Sequence, residues 1–240
     1  MIDKRTTLAN ALDGLTSGMT VMVGGWGTCA IPAALIRRLA EFDVRDLTII
    51  HTGVRSVGPV VAADRVRRVV TSFASYARGE RADEFSERYR AGRIEAELCS
   101  QGILAERIRA GGAGVPAFYV ERRFVGAFAL SRLSATIDGK DCVLQTALHA
   151  DFALVRATQA DPFGNLRFDM GDRNFNAVMA RAADVVVAEV GEIVPVGQIH
   201  PEAVVTPGIF VTRLVPDRPE DAAGSGAAGP GTAAAEAVAR

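Results

Sequence analysis

The stretch Met19–Phe42, MTVMVGGWGTCAIPAALIRRLAEF, decides the fold of this 240-residue chain. Its first part, Met19–Gly25, is a short apolar run that ends in glycines, which is typical of a buried strand that meets a tight turn. Pro32 then opens a helical stretch, and proline at a first helical position loses no hydrogen bond. The stretch therefore predicts a strand, a glycine turn and a helix in immediate succession.

The alternation of strands and helices continues along the chain. Strands are predicted at Asp46–His51, Val66–Phe73, Ile94–Cys99, Cys142–Gln145, Phe152–Thr158 and Asp184–Val190. Helices are predicted at Thr6–Leu15, Asp83–Ala91, Gly102–Ala110 and Asn174–Ala183. Repeated strand–helix–strand units imply an α/β fold with a mainly parallel sheet and helices on both of its faces.

The composition changes near the end of the chain. Residues 1–215 have the hydrophobic patterning of one domain, whereas residues 216–240 are rich in Ala, Gly and Pro, contain no aromatic residue and have almost no bulky side chain. Such a segment buries too little surface to offset the entropy of ordering the chain. We expect a single domain over residues 1–215 and a disordered tail over residues 216–240.

Charge and hydropathy exclude several classes of protein. The chain has 27 Lys and Arg against 28 Asp and Glu, a formal net charge of −1, so no electrostatic footprint for nucleic acid or an anionic membrane stands out. No apolar run approaches the roughly 18 residues that span a bilayer. The N-terminus carries acids and lacks a secretory signal. We expect a cytoplasmic protein that binds neither nucleic acid nor membrane.

The reactive side chains are sparse. Cys29, Cys99 and Cys142 form no C-x-x-C pair and the three histidines are scattered, so the sequence predicts neither a disulfide framework nor a metal site. Cys29, near a helix N-terminus, has the setting of an activated thiol, but no base is identifiable beside it. His149 next to Asp151 is a possible catalytic pair, although adjacent polar residues at a strand start are more often structural.

The glycine loop Gly24–Ala30 is the strongest local signal for a ligand. Its free N–H groups and the following helix N-terminus favour an anion or a developing oxyanion. Residues Gly25–Ala30 also fit the dinucleotide fingerprint G-x-G-x-x-G/A, but the second predicted strand ends in Ile50–Gly53 without the acid that the ribose needs. A nicotinamide cofactor is therefore disfavoured, and a tight turn without a ligand stays the alternative.

A second signal lies where the fourth predicted strand meets its helix. Gln101 can offer an amide N–H to a carbonyl oxygen, and its alternative role is a helix cap. The glycine run of residues 111–114 is either a ligand loop or a helix C-cap and turn. The chemistry of these residues alone does not choose between the alternatives.

Taken together, these segments resemble the α (A) chain of the family I 3-oxoacid CoA-transferases, the group that contains succinyl-CoA:acetoacetate and 3-oxoadipate CoA-transferases. The likeness runs from about residue 4 to residue 215. It is strongest at Met22–Pro32 (MVGGWGTCAIP, close to V-G-G-F-G-x-x-G-x-P), Gln101–Phe118, Asp151–Val155, Asp161–Leu166 and Arg173–Phe175.

The resemblance implies the CoA-transferase fold, of the NagB/RpiA-like type, and ping-pong transfer of CoA between a donor such as succinyl-CoA and a 3-oxo or related acid. In that family a glutamate of the B subunit, in a Ser-Glu-Asn-Gly-like setting, carries CoA as a glutamyl thioester. This chain contains no Glu-Asn-Gly. The resemblance thus implies that a B subunit supplies the nucleophile in an A2B2 heterotetramer, with CoA as a substrate and no permanent cofactor or metal.

The resemblance also implies roles for particular residues. Gln101 matches a glutamine that helps to hold the substrate or thioester oxygen. The residues that match the loop assigned to CoA binding are Gly24, Gly25, Trp26, Gly27, Thr28, Cys29 and Ala30.

The chain departs from the family pattern at four places. Trp26 stands where the family usually has Phe, and Ala30 where it usually has Gly. His51–Gly53 replaces Ser-Asn-Asn, and Tyr119–Phe124 replaces a Thr-Pro-Thr-Gly-Tyr-Gly loop. Because the last two segments are expected near the acyl acceptor, the acceptor need not be acetoacetate or 3-oxoadipate.

Three alternatives stay open at this point. Arg122 and Arg123 either pair with a second carboxylate of the substrate or are solvated surface charges. The chain is also compatible with a sugar-phosphate isomerase or ligand sensor of the same fold type, whose glycine loop would hold a phosphate. A further alternative is a non-catalytic partner subunit.

Overall fold

A computed structural model describes residues 2–74, 84–125 and 133–217. The helices are α1 (Ala33–Glu41), α2 (Gly58–Ala62), α3 (Glu84–Arg90), α4 (Gln101–Gly112), α5 (Arg122–Val125) and α6 (Asn176–Met179). The strands are β1 (Thr20–Val23), β2 (Leu47–Ile50), β3 (Val66–Thr71), β4 (Glu95–Leu98), β5 (Ala117–Glu121), β6 (Ser134–Ile137), β7 (Lys140–Thr146), β8 (Ala150–Ala160), β9 (Leu166–Arg167), β10 (Ala183–Ile193) and β11 (Arg213–Pro216). Of the predicted tail, residues 218–240 lie outside the described part.

The central sheet has the strand order β11-β10-β8-β1-β2-β3-β4, and each pair along this path is parallel. The short β9 pairs antiparallel with β8. A separate antiparallel sheet has the order β5-β7-β6. The mainly parallel sheet with flanking helices confirms the predicted fold class.

Two hydrophobic cores cover the two faces of the central sheet, because successive side chains of a strand point to opposite faces. On β1, Val21 and Val23 belong to the core that contains Leu35 of α1, whereas Met22 belongs to the core that contains Leu104 of α4. All five of these side chains are fully buried. The short apolar strands are therefore sandwiched between helices, which is the setting of parallel sheets.

The chain reverses its direction of growth across the sheet at β1. From β1 it adds β2, β3 and β4 on one side, and then returns to place β8, β10 and β11 on the other side. In open α/β sheets, ligands bind beyond the carboxyl ends of the strands at such a reversal. The loop after β1 and the loops after its neighbours are therefore the first place to look for a site.

Two predicted helices differ from the structure. The segment Thr6–Leu15 forms successive turns rather than a regular helix, since Gly14 adopts φ +89° and the Asn10 amide bonds to the Thr7 hydroxyl. Leu12 is nevertheless fully buried, so the apolar spacing located a packed segment. The helix predicted at Asn174–Ala183 contracts to α6, because its last residue already begins β10.

The glycine run at the end of α4 packs this helix against backbone. A side chain at Gly111 would place its Cβ 1.9 Å from the Leu148 carbonyl oxygen, and one at Gly112 would lie 2.7 Å from the Arg181 carbonyl oxygen. Gly114 follows with φ +70°. This arrangement favours the C-cap and turn over the ligand loop.

We predict that Gly111→Ala lowers the free energy of unfolding by about 1–3 kcal/mol, because the new methyl group must displace the backbone at Leu148. Gly102→Ala is the matched control in the same helix, since a Cβ there meets nothing within 4 Å. Removing that glycine should stabilise the helix by up to about 1 kcal/mol. Urea unfolding of both variants measures the difference, and equal stabilities would contradict the packing argument.

Candidate active site

The glycine loop folds into a tight turn that presents two amides. The Trp26 amide donates to the Cys29 carbonyl at 3.1 Å, and the Cys29 amide donates back to the Trp26 carbonyl at 2.9 Å. Gly27, between them, adopts φ +59°. Within the described part of the chain, the amides of Gly27 and Thr28 donate no hydrogen bond. The turn therefore offers two adjacent N–H groups to a carbonyl oxygen or an oxyanion.

Asn176, the first residue of α6, holds this loop from behind. Its fully buried amide donates to the carbonyls of Ala30 at 3.0 Å and Asp172 at 2.8 Å, and its Oδ1 accepts the Arg156 amide at 3.0 Å. A Cβ at Gly24 would lie 1.9 Å from that same Oδ1. Glycine is therefore required at position 24 by close packing.

Ala30 adopts φ +48°, a left-handed conformation that costs a residue with a Cβ roughly 1 kcal/mol. The alanine at this position, where the resemblance implies glycine, therefore leaves the turn in place at an energetic cost. The Asn176 bond to the Ala30 carbonyl helps to hold this backbone.

The N-terminus of α1 is already occupied by an internal acid. Glu189 Oε2 accepts the amides of Ala34 at 2.8 Å and Leu35 at 3.0 Å, while Arg156 Nη1 donates to Glu189 Oε1 at 2.8 Å. Burial raises the pKa of Glu189, and these amides and Arg156 oppose that rise. The expectation that the helix N-terminus binds an anion from a ligand is therefore wrong, because Glu189 uses its amides. The free donors lie in the turn instead.

A cavity of about 810 Å³ opens beside the turn, at the carboxyl ends of β1, β2 and β3. Trp26 and Phe73, each 51% exposed, both line it. The segment after β2 contributes Thr52 and Ser56, whose hydroxyls donate to the carbonyls of Gly25 at 3.4 Å and Gly27 at 2.7 Å. These two polar side chains are thus committed to holding the glycine loop, which leaves a largely apolar wall.

The predicted site residues divide into groups with different positions. Trp26, Gly27, Thr28 and Cys29 line the cavity, whereas Gly24, Gly25 and Ala30 are not part of its lining. Gln101, partly buried, begins α4 at the carboxyl end of β4, on the same edge of the sheet, and does not line the cavity in the described part. The roles assigned to these eight residues stay predictions.

Sequence reasoning missed four residues that shape the site: Ser56, Phe73, Asn176 and Glu189. Phe73 ends a predicted strand, so its position at the sheet edge was available from the pattern. Asn176 and Glu189 lie 146 and 155 residues from the backbone groups that they bind, so no local pattern points to them.

His51 lies directly before the segment that lines the cavity. Its ring is fully buried, with Nδ1 2.6 Å from the Val23 carbonyl oxygen and Nε2 without a hydrogen-bond partner among the described residues. Burial lowers the pKa of His51 to about 4, against the opposing effect of the Val23 carbonyl. The ring is therefore neutral at physiological pH, and its Nδ1–H ties the end of β2 to the end of β1.

The two weaker catalytic alternatives find no support. Cys29 is exposed, and its Sγ lies 3.7 Å from Asp172 Oδ1, an acid rather than the cation or histidine that activates a thiol. His149 faces Asp184 at 3.9 Å, whereas Asp151 accepts the Thr20 amide at 2.7 Å. His149 and Asp151 therefore do not act as a pair, and they lie at the amino ends of the strands.

The two arginines considered for a second substrate carboxylate are paired with acids of the chain. Arg122 lies 2.5 Å from Asp141, and Arg123 lies 2.7 Å from Glu121. Both arginines are exposed. The structure thus favours surface charges over a carboxylate pocket.

The described residues contain no cluster of candidate metal ligands and no helix suited to span a membrane. No group of three or more His, Cys, Asp or Glu side chains comes close enough there to hold a metal ion. No helix in the same ranges has the length and apolar character needed to cross a membrane.

Comparison with known proteins gives a consistent result. The sequence model of the coenzyme A transferase family matches residues 5–217. The chain is 43% identical over 220 residues to the A subunit of 3-oxoadipate CoA-transferase from Pseudomonas putida, covering 90% of this chain and 94% of that protein. It is 45% identical over 217 residues to the A subunit of succinyl-CoA:3-ketoacid coenzyme A transferase from Xanthomonas campestris, covering 89% and 86%.

Among solved structures, glutaconate coenzyme A-transferase from Acidaminococcus fermentans superposes with a TM-score of 0.79 at 22% identity. The match covers 92% of this chain and 78% of that one. At 22% identity this likeness shows a shared fold alone.

We predict that His51 makes stability depend on pH between about 6.5 and 4. In this window the unfolded chain, with an ordinary histidine pKa near 6.5, binds a proton that the folded chain does not. The free energy of unfolding should therefore fall by up to about 3 kcal/mol as the pH drops through it, with no contribution above the window. Urea unfolding at several pH values measures this dependence. As the pH drops, the free energy of unfolding should fall less in His51→Gln than in the wild type or in the exposed control His200→Gln. Parallel curves would contradict the assignment.

Proposed function

Because this chain belongs to the coenzyme A transferase family, we propose that it is the A subunit of an enzyme that moves CoA between an acyl-CoA and a carboxylic acid. Succinyl-CoA is the proposed donor, and a 3-oxo acid or a related acid is the proposed acceptor. The relatives named above are themselves A subunits of such transferases, and the match covers 94% and 86% of their lengths.

The free amides of Gly27 and Thr28 are the observation that carries the proposed chemistry. Negative charge develops on the thioester oxygen when a nucleophile attacks the carbonyl carbon of an acyl-CoA. Preorganised N–H donors that are aimed at such an oxygen stabilise the transition state, each by about 3 kcal/mol where this has been measured by mutation. The turn is held by Asn176 from behind and by Ser56 from the cavity side, so little reorganisation is needed.

The proposed sequence of steps uses a glutamate from a B subunit. Its carboxylate attacks the acyl carbonyl and expels CoA as a thiolate, which leaves a mixed anhydride between the glutamyl and acyl groups. The thiolate then attacks the glutamyl carbonyl, releases the donor acid and forms the glutamyl-CoA thioester. The acceptor acid takes CoA by the reverse two steps and restores the glutamate.

Exposed apolar side chains, two in the cavity and one outside its lining, support a partner on this edge of the sheet. Trp26 and Phe73 are half-exposed in the cavity, and Met170, two residues before Asp172, is 99% exposed. Apolar surface of this kind marks protein interfaces and ligand sites. We propose that the B subunit covers this edge and completes the site in an A2B2 assembly.

The structure does not favour a phosphate ligand of an isomerase or sensor. Such a ligand would be held by the glycine loop together with the amides at the N-terminus of α1, and Glu189 already accepts the amides of Ala34 and Leu35. A dicarboxylic acceptor held by Arg122 and Arg123 is likewise not favoured, because both arginines are paired with acids. The apolar cavity wall instead fits the carbon chain of an acyl group.

We predict that the purified chain by itself transfers no CoA, and that transfer appears when a B subunit is added. A coupled assay with succinyl-CoA and a panel of 3-oxo acids, run with each of the two proteins separately and with both together, measures this dependence. Robust turnover by the isolated chain would contradict the proposal that the B subunit supplies the nucleophile. Absence of turnover with a B subunit that assembles and carries its glutamate would favour the non-catalytic alternative.

We predict that Gln101→Ala lowers the turnover number of the A–B complex by about a hundredfold, because one donor to the substrate oxygen is lost. Assembly, followed by size-exclusion chromatography, should be unchanged. Gln198→Ala is the control, since this exposed glutamine lies in the loop after β10. Equal turnover of the two variants would remove the role assigned to Gln101.

A further inference from the structure

A second cavity, of about 720 Å³, lies on the α4 face of the central sheet, toward the amino ends of its strands. The sheet lines one side of it, and the other side is lined by Arg107 of α4 and by residues 144–149, which end β7 and lead into β8. It shares no lining residue with the cavity beside the glycine loop, which lies at the carboxyl ends of the strands. The two cavities are therefore separate sites.

A row of polar side chains crosses the sheet where it lines this cavity. The register places one residue from each of β1 to β4 side by side on the same face: Thr20, Thr48, Arg68 and Glu95. Parallel strands are ordinarily apolar on both faces, because helices cover both. The hydroxyls of Thr20 and Thr48 have no hydrogen-bond partner in the described part of the chain. Packing among these residues therefore does not account for the polar row.

Two guanidinium groups share one carboxylate in this cavity. Arg107 Nη1 lies 2.5 Å from Glu97 Oε1, and Arg68 donates to the other oxygen of Glu97. Burial opposes the ionisation of Glu97, but the two arginines outweigh it and hold the pKa of this carboxyl below its usual range. The other acid of the lining, Glu95, is 66% exposed and faces Arg67 at 3.8 Å. The cavity therefore keeps one positive charge that no carboxylate of the lining compensates.

The two arginines of this group differ in what they leave free. Arg107 is nearly fully buried, and its Nε donates to the Thr146 carbonyl at 2.7 Å, so it holds α4 against the end of β7. Arg68 is 41% exposed and uses one amino group for Glu97, while its Nε and Nη1 donate to no described residue. The uncompensated charge is thus accessible at Arg68, and guanidinium N–H groups of this kind bind carboxylates.

Gln145 adds an acceptor to the same cavity. Its side chain is buried, and Nε2 donates to the Leu144 carbonyl at 3.0 Å, which determines the orientation of the amide. Its Oε1 accepts no hydrogen bond from the described residues. Because polar groups of buried side chains are nearly always paired, this oxygen calls for a ligand that carries a hydrogen-bond donor.

The rest of the lining selects the kind of donor and the body of the ligand. An ammonium group would be repelled by the positive charge nearby, so a hydroxyl suits Gln145 Oε1 better than an amine. Apolar side chains between the polar groups offer contacts to a short carbon chain: Ile50, Val70, Leu144 and Leu148. A ligand that satisfies the cavity thus has one carboxylate, one hydroxyl and a few carbon atoms.

We propose that this cavity binds a small hydroxycarboxylic acid, whose carboxylate pairs with Arg68 and whose hydroxyl donates to Gln145 Oε1. The inference goes beyond the proposed function and does not depend on it. An acid held at the amino ends of the strands is remote from the amides of Gly27 and Thr28, so it is bound as an effector and not as the reacting substrate.

The test titrates the full chain with 3-hydroxybutanoate and with butanoate, which differs only in lacking the hydroxyl. In NMR spectra, the backbone amide signals of residues 144–149 and of Thr48 should shift, whereas those of Gly27 and Thr28 should not. The hydroxy acid should bind about fivefold more tightly than butanoate, because it gains one hydrogen bond to Gln145.

Two variants separate the two contacts. Arg68→Gln should weaken the binding of both acids about tenfold or more, because a charge-assisted hydrogen bond is lost. Gln145→Leu, which keeps the approximate size of the side chain, should lower the affinity for 3-hydroxybutanoate to that for butanoate and leave butanoate unchanged. Arg93→Gln, at an exposed arginine before β4 and outside the lining, is the matched control. Urea unfolding verifies that each variant is folded.

The opposite results would each overturn the proposal. These are no binding at millimolar concentrations, equal affinity of the wild type for the two acids, or wild-type affinity in Arg68→Gln. Shifts confined to the glycine loop would also overturn it, because the acid would then occupy the proposed active site. Binding to the isolated chain that disappears in the A–B complex would overturn it too and would assign this face to the partner. None of these measurements involves CoA transfer, so their failure is distinguishable from a failure of the proposed function.

Discussion

One buried amide, the side chain of Asn176, determines the shape of the loop on which the site depends. It donates to the Ala30 carbonyl of the loop and to the Asp172 carbonyl, accepts one amide of β8, and leaves no space for a side chain at Gly24. A satisfied buried hydrogen bond contributes about 1 kcal/mol, but an unsatisfied buried group costs about 1–3 kcal/mol. A different loop geometry would therefore leave several buried polar groups unpaired. The cost of those unpaired groups holds the loop in place more strongly than the net gain from the bonds themselves.

Glu189 provides the second constraint, because it determines which backbone amides near the loop are already hydrogen-bonded. By capping α1 from inside, it uses the amides that a phosphate-binding loop would present to its ligand. Among the described residues, the amides of Gly27 and Thr28, in the loop before α1, remain without a hydrogen-bond partner, and we propose that these two donors serve the substrate. A pair of neutral donors suits an oxygen that becomes charged only during reaction. The internal acid is thus consistent with the proposed role of the loop, which is to stabilise an oxyanion that forms during the reaction.

Much of the fold was predictable from the sequence, because buried parallel strands are short apolar runs and the first helix begins at a proline. The position of the glycine loop was predictable for the same reason. Patterning failed where local chemistry competed with spacing: Thr6–Leu15 has the helical spacing but carries Asn10 and Gly14, which favour turns. The small sheet was also missed in part, since β5 and β6 lie on a partly exposed surface and show no clean alternation. The partners of the loop, Asn176 and Glu189, depend on tertiary contacts that no window of sequence contains.

The position of β1 between β2 and β8 has a consequence for how the protein reaches its native state. One edge of β1 pairs with a strand that follows within about thirty residues, but the other pairs with β8, and the Thr20 amide meets its Asp151 partner 131 residues later. Pairings this distant in sequence form slowly, since the long intervening loop must be closed first. During synthesis, the first four strands therefore emerge with the central strand of the final sheet still an open edge. An exposed apolar edge is prone to association with other chains. The strand that carries the glycine loop is thus left with one unpaired edge until β8 has been made.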